Sequence, residues 1–577
     1  MKRAIYAFSG DPITYGHINI IKRAANFFDE VVAGIGVNPG KSYMFTLEER
    51  TEMAQKALKD LRNVTVTSFE GLLVDYAYEQ DIPVIIKGVR NAADFDYERT
   101  LKEVGDSQRA GIETHILFAK PELAQVSSSA VKAIQKDSGA IHEYVPLNVK
   151  QNLEARMSGQ YILGITGEIG SGKSYVSKKL EEIGKQKKIP TYYIDLDKIG
   201  HQILGGLQEP GYQKIRDEIS LIFGAEIRTP DGKIDRKALG NIVFNDPEKL
   251  KKLNSIMHEP ILLRLRREIY NKKGLFLLEA ALFAESGITY LCNNNVVLVG
   301  VDKESQKSRL TKKRGMSPEQ IERRIASQYN CEQKQQILER SMQMDNHGKL
   351  WTIDNSDNSD PAQLIALFNN IITHMDKYGE LRFRGLWERI GADGTPDDEY
   401  KRLLGAYSES HRVYHALPHI IACLDEFEQA RHLTEHPDQV EFALWYHDLV
   451  MKQKSRVDEE RSAQAAQAVC RHILLPEEFA ENVKSLILAT KHAKVPSGAD
   501  EKLITDIDLS VFGKSPDDFD AYVARVRKEY SYVPEDEFWS RRASILQKFL
   551  DRPVIYSTDF FNKKYEAQAQ SNLRKGR

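Results

Sequence analysis

Short hydrophobic runs alternate with amphipathic stretches along the first 150 residues. The runs are rich in β-branched and aromatic residues and end at polar turns, as strands do; they cover residues 3–8, 31–37, 64–69, 84–87 and 114–118. Between them, residues 47–58 and 72–79 repeat apolar positions at the spacing of one helix face. Strands that alternate with helices predict a parallel sheet with helical crossovers, and therefore an α/β domain.

A second series of the same kind follows a polar stretch at residues 146–160, which is predicted to be a linker and could be partly helical. A third segment lacks strand signals. The strand candidates of the second series are residues 161–166, 191–194, 275–278, 296–301 and 350–353. From about residue 369 onward only long amphipathic stretches follow, for example residues 440–450 and 478–490. We therefore expect a multidomain chain with two α/β domains at residues 1–150 and 161–375, a linker at 151–160, and an all-α domain at 380–577.

Composition limits the classes of protein to consider. Of the 577 residues, 41% are hydrophobic and 28% are charged, which excludes wholesale disorder. The 81 Lys and Arg nearly balance the 83 Asp and Glu, so the net charge of −2 gives no general attraction to nucleic acid or anionic membrane. Four scattered cysteines indicate a reducing compartment rather than a disulfide scaffold. Without a membrane-spanning run or a signal-peptide core, we expect a soluble, cytoplasmic protein.

The most specific motif is G-E-I-G-S-G-K-S at residues 167–174, between a predicted strand and a predicted helix. Its small residues let successive backbone N–H groups face phosphate oxygens, its lysine supplies positive charge near the β- and γ-phosphates, and its last serine can ligate Mg²⁺. An incidental glycine-rich turn is the alternative. The residues predicted to bind ATP here are Gly167, Gly170, Ser171, Gly172, Lys173 and Ser174.

The chain from about residue 161 to residue 375 resembles dephospho-coenzyme A kinase. The similar motifs are I-D-L-D-K-I at 194–199, I-D-R-K-A-L-G at 234–240 with Val243, Phe244, Asn254 and His258 after it, E-A-A-L-F-A-E-S-G at 279–287, R-G-M-S at 314–317 and R-I-A-S-Q at 324–328. The third of these lacks the proline with which the family's segment begins. The resemblance implies transfer of a phosphoryl group from ATP to a sugar hydroxyl, with Mg²⁺ as cofactor and Lys173 in a catalytic role.

The same resemblance assigns substrate residues in this segment. Asp197 would accept the hydroxyl proton, while Asp195 is the second candidate and could instead hold the metal through water. Arg314 and Arg324 would clamp the transferring phosphate when a lid closes. Two plainer alternatives stay open: the acids could only cap the following helix, and the arginines could only solvate an exposed helix face.

Residues 14–17 read T-Y-G-H where the first predicted strand meets the first helix, a junction that can bind phosphate. Alone, this tetrapeptide is weak, since a histidine there is more often a cap or a packed residue. Its surroundings resemble bacterial phosphopantetheine adenylyltransferase over residues 1–150. The similar motifs are D-P-I-T-Y-G-H-I-N-I-I at 11–21, N-P-G-K at 38–41, M-F-T-L-E-E-R at 44–50, G-L-L-V at 71–74, K-G-V-R-N at 87–91, D-F-D-Y-E at 94–98 and S-S-S-A-V-K at 127–132.

This second resemblance implies a Rossmann-like nucleotidyltransferase domain that joins 4′-phosphopantetheine to the adenylyl group of ATP. Its catalytic donors would be His17, Lys41 and Arg90. ATP would contact Ser9, Thr14, His17, Gly88, Arg90, Glu98, Ser127, Ser128 and Ser129, and phosphopantetheine would contact Ser9, Lys41, Leu73 and Lys87. The three serines could instead only cap a helix. Because the family tends to assemble, a homo-oligomer through this domain is also expected.

Three positions depart from the adenylyltransferase pattern. The family's P-G-[ST]-F-D-P turn reads A-F-S-G-D-P at residues 7–12, its first arginine of R-G-x-R is Lys87, and its M-N pair is replaced by Val104 and Gly105. Lysine keeps the charge but not the planar fork of arginine. These departures motivate an alternative function in which a dephospho-coenzyme A kinase carries an impaired adenylyltransferase-like domain that only binds and regulates.

The all-α segment contains Y-H-A-L-P-H-I at residues 414–420, W-Y-H-D at 445–448, E-E at 459–460 and D-L-S at 508–510, a set that resembles the HD-type phosphohydrolase superfamily over about 380–575. Carried over, the metal ligands would be His419, His447, Asp448 and Asp508, with His415 as an acid for the leaving group. Imidazole and carboxylate ligands suit a divalent transition metal or Mg²⁺. Because Pro418 is expected to begin a helix, His415 need not share a helix face with His419. A packed helical docking module is the alternative.

Together the resemblances are those of a bifunctional coenzyme A synthase with an added helical domain. The first domain would form dephospho-coenzyme A and diphosphate, and the second would phosphorylate its 3′-hydroxyl. The expected partners are small molecules: ATP, 4′-phosphopantetheine and dephospho-coenzyme A. The substrate of the helical domain is not readable from the sequence.

Overall fold

The computed structural model describes residues 2–38, 40–108, 110–243, 246–314, 316–326, 328–356, 360–452 and 457–576, without the side chains of residues 313, 314 and 326. Six predicted motif positions therefore lie outside the described residues in whole or in part. They are Pro39, Phe244, Gly315 and Ser327, and the side chains of Arg314 and Ala326.

A five-stranded parallel sheet forms the centre of the first domain, as the sequence predicts. Its strands are Arg3–Phe8 (β1), Glu30–Gly36 (β2), Val64–Phe69 (β3), Val84–Val89 (β4) and Glu113–Phe118 (β5), in the order β3-β2-β1-β4-β5. Its helices are Tyr15–Ala24 (α1), Leu47–Leu58 (α2), Leu73–Glu79 (α3), Ala92–Ser107 (α4) and Ser128–Lys136 (α5). β1 lies at the centre of the sheet, with β2 and β3 on one side of it and β4 and β5 on the other. A crevice therefore opens at the carboxyl ends of β1 and β4, where such sheets bind ligands.

A second five-stranded parallel sheet follows, also as predicted. Its strands are Gln160–Gly167 (β6), Thr191–Asp195 (β7), Gly274–Glu279 (β8), Asn295–Gly300 (β9) and Lys349–Asp354 (β10), in the order β10-β9-β6-β8-β7. Every residue of β6 and β8 is buried, which is why both appear in the sequence as continuous hydrophobic runs. The helices between residues 147 and 345 are Leu147–Leu153 (α6), Lys173–Gln186 (α7), Leu196–Gly205 (α8), Pro210–Phe223 (α9), Arg236–Val243 (α10), Pro247–Ile269 (α11), Lys303–Arg314 (α12), Pro318–Ala326 (α13) and Cys331–Asp345 (α14).

The stretch predicted as a linker is partly helical, which the sequence left open, and it is more buried than a solvated linker would be. It begins in α6 and continues as a π-helical turn at Glu154–Ser158. Lys150 and Glu154 form a 2.7 Å ion pair, and both contact Asn293 of the second domain, at 3.0 and 2.6 Å. These polar residues form hydrogen bonds with one another inside the protein. Their polarity therefore does not mean that the connection is exposed to solvent. The exact domain limits stay a prediction.

The remainder of the chain is helical, and no strand occurs among the described residues from 360 onward. Its helices are Pro361–Met375 (α15), Glu380–Arg389 (α16), Pro396–Tyr407 (α17), Leu417–Ala430 (α18), Pro437–Tyr446 (α19), Asp458–His472 (α20), Glu477–Ala489 (α21), Ala499–Asp508 (α22), Pro516–Glu529 (α23), Glu535–Leu550 (α24) and Asp559–Lys575 (α25). The all-α prediction is therefore confirmed for this part.

The chain divides into two compact units. The first unit comprises residues 1–182 and 191–365 and contains both sheets; the second comprises residues 183–190 and 366–577 and is called the helical unit below. Within the described ranges, no helix has both the length and the apolar character that crossing a bilayer would need.

Candidate active sites

The crevice of the first sheet begins at the junction of β1 and α1. Thr14 caps α1, and its backbone N–H donates to Nδ1 of His17 at 3.1 Å, closing a capping box. Because Nδ1 accepts this hydrogen bond, a neutral His17 carries its proton on Nε2. The local capping geometry thus fixes the tautomer in which the far ring nitrogen is a hydrogen-bond donor.

The environment of His17 keeps it neutral. Its ring stacks on Phe8, with ring centroids 4.8 Å apart. Desolvation by the surrounding protein, and then the positive charge of Arg90, lower the pKa of His17 to about 4. At neutral pH this side chain is therefore a neutral donor beside a cation, an arrangement suited to an anionic ligand.

The start of α5 lies against the start of α1. A Cβ on Gly16 would approach the carbonyl oxygen of Val126 to 3.1 Å, so glycine allows this close approach. Ser127 caps α5 by accepting from the N–H of Ala130 at 3.2 Å, and Ser128 donates to the carbonyl of Pro12 at 2.8 Å. Two helix N-termini therefore face one crevice. Ser127 is therefore a helix cap, whereas Ser129 is exposed to solvent.

The predicted cations occupy the end of β4 and the loop after β2. Arg90 forms a two-pronged ion pair with Asp94, at 2.7 and 3.1 Å, and Lys87 pairs with Glu98 at 2.8 Å. Lys41 is exposed on its loop. The structure thus brings Lys87 and Arg90 to the same strand end, with Gly88 between them, and leaves Lys41 on a separate segment.

Two further predicted positions, Leu73 and Ser9, lie on separate segments of the first domain. Leu73 begins α3. The backbone of Ser9 is held by Arg50, which is 2% exposed, donates to the carbonyl of Ser9 and also donates to that of Gly36 at 3.0 Å. The sequence indicated Arg50 only as the last residue of the motif at 44–50 and gave it no role, because its partners are backbone atoms from other segments.

A buried carboxylate, Asp11, also fixes this junction. It accepts from the backbone N–H groups of Met44 and Phe45, at 3.1 and 3.0 Å, and pairs with Lys132 at 2.7 Å. These contacts join the turn after β1 to the start of α2 and to α5. The aspartate of the D-P pair in the first motif therefore has a structural role, independent of any contact with substrate.

The phosphate loop of the second domain has the expected form. Gly170 and Gly172 have φ values of 79° and 88°, which side chains disfavour, and α7 begins at Lys173. The Nζ of Lys173 donates to the carbonyl oxygens of Gly167 and Glu168, at 3.1 and 3.0 Å. The ammonium group therefore reaches back over the loop, where nucleotide phosphates bind in such folds.

Glu279 is a further residue of this site, and the sequence indicated it only as part of the motif at 279–287. It ends β8, is 6% exposed, and accepts hydrogen bonds from Ser174 at 2.7 Å and from Tyr193 at 2.8 Å. A carboxylate at the end of a buried strand, beside the loop serine, is the donor set that holds Mg²⁺ in P-loop proteins. The signal that could have found it is a single acid that ends a wholly apolar run.

The two predicted acids have different surroundings. Asp195 caps α8, because its carboxylate accepts from the N–H of Lys198 at 2.9 Å. Asp197 lies two residues further and is open to the cleft; desolvation and then the charge of Asp195 raise its pKa. Lys173 is also within electrostatic reach of Asp197. A carboxylate with a raised pKa beside the loop lysine has the properties of a general base.

The predicted lid residues are less informative. Arg314 ends α12, but its side chain lies outside the described atoms, and Arg324 is exposed on α13. A different arginine contacts the phosphate loop: Arg309 donates to the carbonyl of Ser171 at 3.2 Å and to that of Ser356 at 2.7 Å. Arg309 was missed because nothing in the sequence separates it from its neighbours Lys307 and Lys312.

The helical unit brings four predicted side chains together. The Nε2 atoms of His419 and His447 are 3.2 Å apart, and Oδ2 of Asp448 lies 3.4 Å from each of them. Oδ1 of Asp508 is 3.3 and 3.7 Å from the same two nitrogens. Ligand bonds of about 2.1 Å place donor atoms about 3.0–3.4 Å apart around one ion, so these separations fit a metal centre. Cys423, whose Sγ also lies within reach of the cluster, was not predicted.

Two residues surround this cluster. His415 precedes α18, which begins at Leu417, and its Nδ1 lies 2.5 Å from Glu529. His492 contacts Oδ2 of Asp508 at 2.8 Å and was not predicted, because no motif includes it. Carboxylates thus hold two further imidazoles, His415 through Glu529 and His492 through Asp508, as supporting residues of metal sites do.

Two family models match the chain within its first two domains. The family model for cytidylyltransferase-like proteins matches residues 9–134, and the model for dephospho-CoA kinase matches residues 161–350. Among solved structures, dephospho-CoA kinase from Campylobacter jejuni is 24% identical, with 38% of this chain and 98% of that one covered and a TM-score of 0.26.

Two curated relatives match over 153 residues, which is 26% of this chain. They are named phosphopantetheine adenylyltransferase, from Caldanaerobacter subterraneus subsp. tengcongensis and Clostridium novyi, and each is 42% identical, with 96% and 95% of its own length covered. Through the segment that these relatives match, the chain belongs to the phosphopantetheine adenylyltransferase family, and it also carries a dephospho-CoA kinase domain.

Proposed function

We propose that the chain is a bifunctional coenzyme A synthase that catalyses the last two steps of coenzyme A formation. The observation that carries the proposal is a pair of separate strand-to-helix junctions, each with a helix N-terminus and cations beside it, a geometry suited to anions. The matching relatives of the first domain and the family match of the second supply the two reactions. The experiment that tests it is product analysis after 4′-phosphopantetheine, ATP and Mg²⁺ are supplied.

In the first domain, a phosphate oxygen of 4′-phosphopantetheine attacks the α-phosphorus of ATP, the bond to the β-phosphate oxygen breaks, and diphosphate leaves. No side chain forms a bond, so the domain acts by alignment and charge. The neutral Nε2–H of His17, the guanidinium of Arg90 and the start of α5 would bind the transferring phosphate and the leaving group. Lys41 would join them when its loop approaches the substrate.

In the second domain, the 3′-hydroxyl oxygen of dephospho-coenzyme A attacks the γ-phosphorus of ATP, and ADP leaves. Ser174 and Glu279 are the residues that would hold Mg²⁺, which supplies charge neutralisation at the phosphates. Asp197 would accept the hydroxyl proton, and Asp195 would cap α8 beside it. Lys173 would stabilise the charge that develops on the transferred group.

Asp197→Asn is expected to lower the rate of dephospho-coenzyme A phosphorylation about 10²- to 10⁴-fold, because the amide cannot accept the proton. Asp195→Asn is the matched control: asparagine caps helices as well as aspartate, so only a small effect is expected. The measurement is the single-turnover rate of coenzyme A formation at saturating ATP. Equal losses in both variants would show that the base is not Asp197 alone.

For the helical unit we propose a metal-dependent phosphohydrolase. The supporting observation is that the imidazole and carboxylate atoms of His419, His447, Asp448 and Asp508 converge at ligand-to-ligand distances. The donor set fits a divalent ion, since Oδ2 of Asp448 is also buried without a hydrogen-bond partner among the described residues. The ion would activate a water molecule. His415, held by Glu529, would donate a proton to the leaving group.

His447→Ala is expected to reduce bound metal from about one ion per chain to less than a tenth of that value, because the cluster loses a buried ligand. The measurement is elemental analysis of the full chain after reconstitution with Mn²⁺ and dialysis. His472→Ala, which changes an exposed histidine of the same unit, is the control and should retain the ion. A wild-type chain that takes up no ion would favour the docking-module alternative.

Two further expectations remain predictions. In α4 no residue is buried, and Tyr97, Leu101 and Val104 are 58%, 39% and 53% exposed, which is compatible with a homo-oligomer through the first domain. The cytoplasmic location rests on the proposed reactions.

A further inference from the structure

A thiol belongs to the side-chain cluster of the helical unit. The sulfur atom of Cys423 and one ligand atom each of His419, His447 and Asp508 all lie within 4.8 Å of one another. No motif of the sequence includes Cys423, and the reaction proposed for this unit does not use it. The residue is 2% exposed, so its thiol faces the interior of the protein together with these imidazole and carboxylate groups.

Cys423 lies beside His419 because both belong to one helix. They are four residues apart on α18, and side chains at this spacing share one face of a helix. The Sγ of Cys423 is 3.8 Å from Nδ1 and 3.8 Å from Nε2 of His419. The sulfur therefore lies on the side of the imidazole that carries the nitrogens, next to the atom that converges with the other ligands.

The distance between these two side chains fits two ligands of one ion. A thiolate sulfur about 2.3 Å and an imidazole nitrogen about 2.1 Å from a tetrahedral ion are about 3.6 Å apart. The 3.8 Å between Sγ of Cys423 and Nε2 of His419 is close to this value. In the same cluster, Oδ2 of Asp448 is buried without a hydrogen-bond partner among the described residues, which independently indicates a place for a cation.

The surroundings of Cys423 differ from those of a cysteine that only fills space. A free cysteine in a core behaves as a small hydrophobic side chain. The thiol of Cys423 instead meets the polar edge of His419, whose ring nitrogens are its hydrogen-bond partners within the described part of the chain. Cys470 of α20 is 0% exposed, and its thiol is not one of the convergent ligand atoms that the described residues form. The two buried thiols of this unit are therefore a natural pair for comparison.

We propose that Cys423 is a further ligand of the metal centre in the helical unit, and that its sulfur makes the site selective for zinc over Mg²⁺ and Mn²⁺. The inference rests on the metal-dependent function proposed above. Thiolate ligands favour zinc, whereas carboxylate and water oxygens suit Mg²⁺ and Mn²⁺. The thiol releases its proton to solvent when the ion binds, because the thiolate is the form that ligates.

The test is the absorption spectrum of the full chain during titration with Co²⁺, a spectroscopic substitute for zinc. A cobalt–thiolate bond gives a charge-transfer band in the near ultraviolet, which nitrogen and oxygen ligands do not give. The wild type is expected to develop this band up to about one Co²⁺ per chain. Cys423→Ser should lose the band and keep the visible bands of the bound ion. Cys470→Ser is the matched control, because it changes an equally buried thiol of the same unit, and it should keep both.

The affinities of the same variants for zinc and Mn²⁺, measured in competition with a chromogenic chelator, test the selectivity. Because zinc binds most sites more tightly than Mn²⁺, the informative quantity is the change in the ratio of the two dissociation constants. Cys423→Ser is expected to weaken zinc binding at least about tenfold and to leave Mn²⁺ binding within about twofold of the wild type. Equal losses for both ions would indicate a structural role of the thiol and would overturn the proposed selectivity.

These measurements separate two kinds of failure. A wild-type chain that binds Co²⁺ without the charge-transfer band, or a band that persists in Cys423→Ser, overturns the role of Cys423 and leaves the metal centre intact. A wild-type chain that takes up none of Co²⁺, zinc and Mn²⁺ overturns the proposed function itself. If Cys423→Ser does not fold, X-ray absorption at the zinc edge of the wild type decides: a sulfur about 2.3 Å from the ion supports the proposal, and a shell of nitrogen and oxygen alone overturns it.

Discussion

Lys173→Met is expected to stop coenzyme A formation while dephospho-coenzyme A accumulates. The Nζ of Lys173 lies over the phosphate loop, 3.1 and 3.0 Å from two of its carbonyl oxygens, where it can neutralise charge on the transferred phosphate. Removing one such charge from a preorganised site lowers the rate about 10²- to 10³-fold. Mass spectrometry of the products formed from 4′-phosphopantetheine, ATP and Mg²⁺ measures both steps in one reaction.

Lys179→Met provides the control for this result. Lys179 lies on the same helix, is 42% exposed and pairs with Glu182, so its loss should change neither product. Coenzyme A formation at the wild-type rate in Lys173→Met would contradict the kinase assignment. Loss of both products together would instead indicate a folding defect, which thermal unfolding of the variant would detect.

The sheets could be predicted because burial leaves a direct pattern in the sequence. Strands such as β6 and β8 are buried on both faces and appear as continuous hydrophobic runs between turn residues. The connection through α6 could not be predicted in the same way. Its Lys150 and Glu154 look solvated in the sequence, but they are buried and paired, with Asn293 about 140 residues away as a partner.

The residues of the candidate sites also differ in whether a local sequence pattern could predict them. Residues in local motifs, such as Thr14 with His17, or Lys173 with Ser174, were predictable because the short segment that carries them also builds the site. Glu279, Cys423 and His492 join their sites through the tertiary fold, from separate segments of the chain. For such residues the sequence provides the side chain but not the neighbours that give it a role.

His17→Ala is expected to lower diphosphate release about 10²- to 10³-fold with 4′-phosphopantetheine and ATP, because the transition state loses a preorganised donor. The capping box places the proton of His17 on Nε2, and a pKa of about 4 keeps the ring neutral. The ratio of wild-type to variant rates should therefore stay constant across neutral pH. Phosphorylation of added dephospho-coenzyme A should be unchanged, since the second domain has its own phosphate loop.

The control for His17→Ala is His115→Ala, which removes an exposed histidine of β5 outside the crevice and should leave diphosphate release unaffected. The comparison also decides between the two functions that the altered turn at residues 7–10 leaves open. A catalytic domain gives a wild-type rate far above that of His17→Ala. If the wild-type chain releases diphosphate no faster than the variant, while it still phosphorylates dephospho-coenzyme A, the first domain binds nucleotide without turnover, and a regulatory role replaces the adenylyltransferase step.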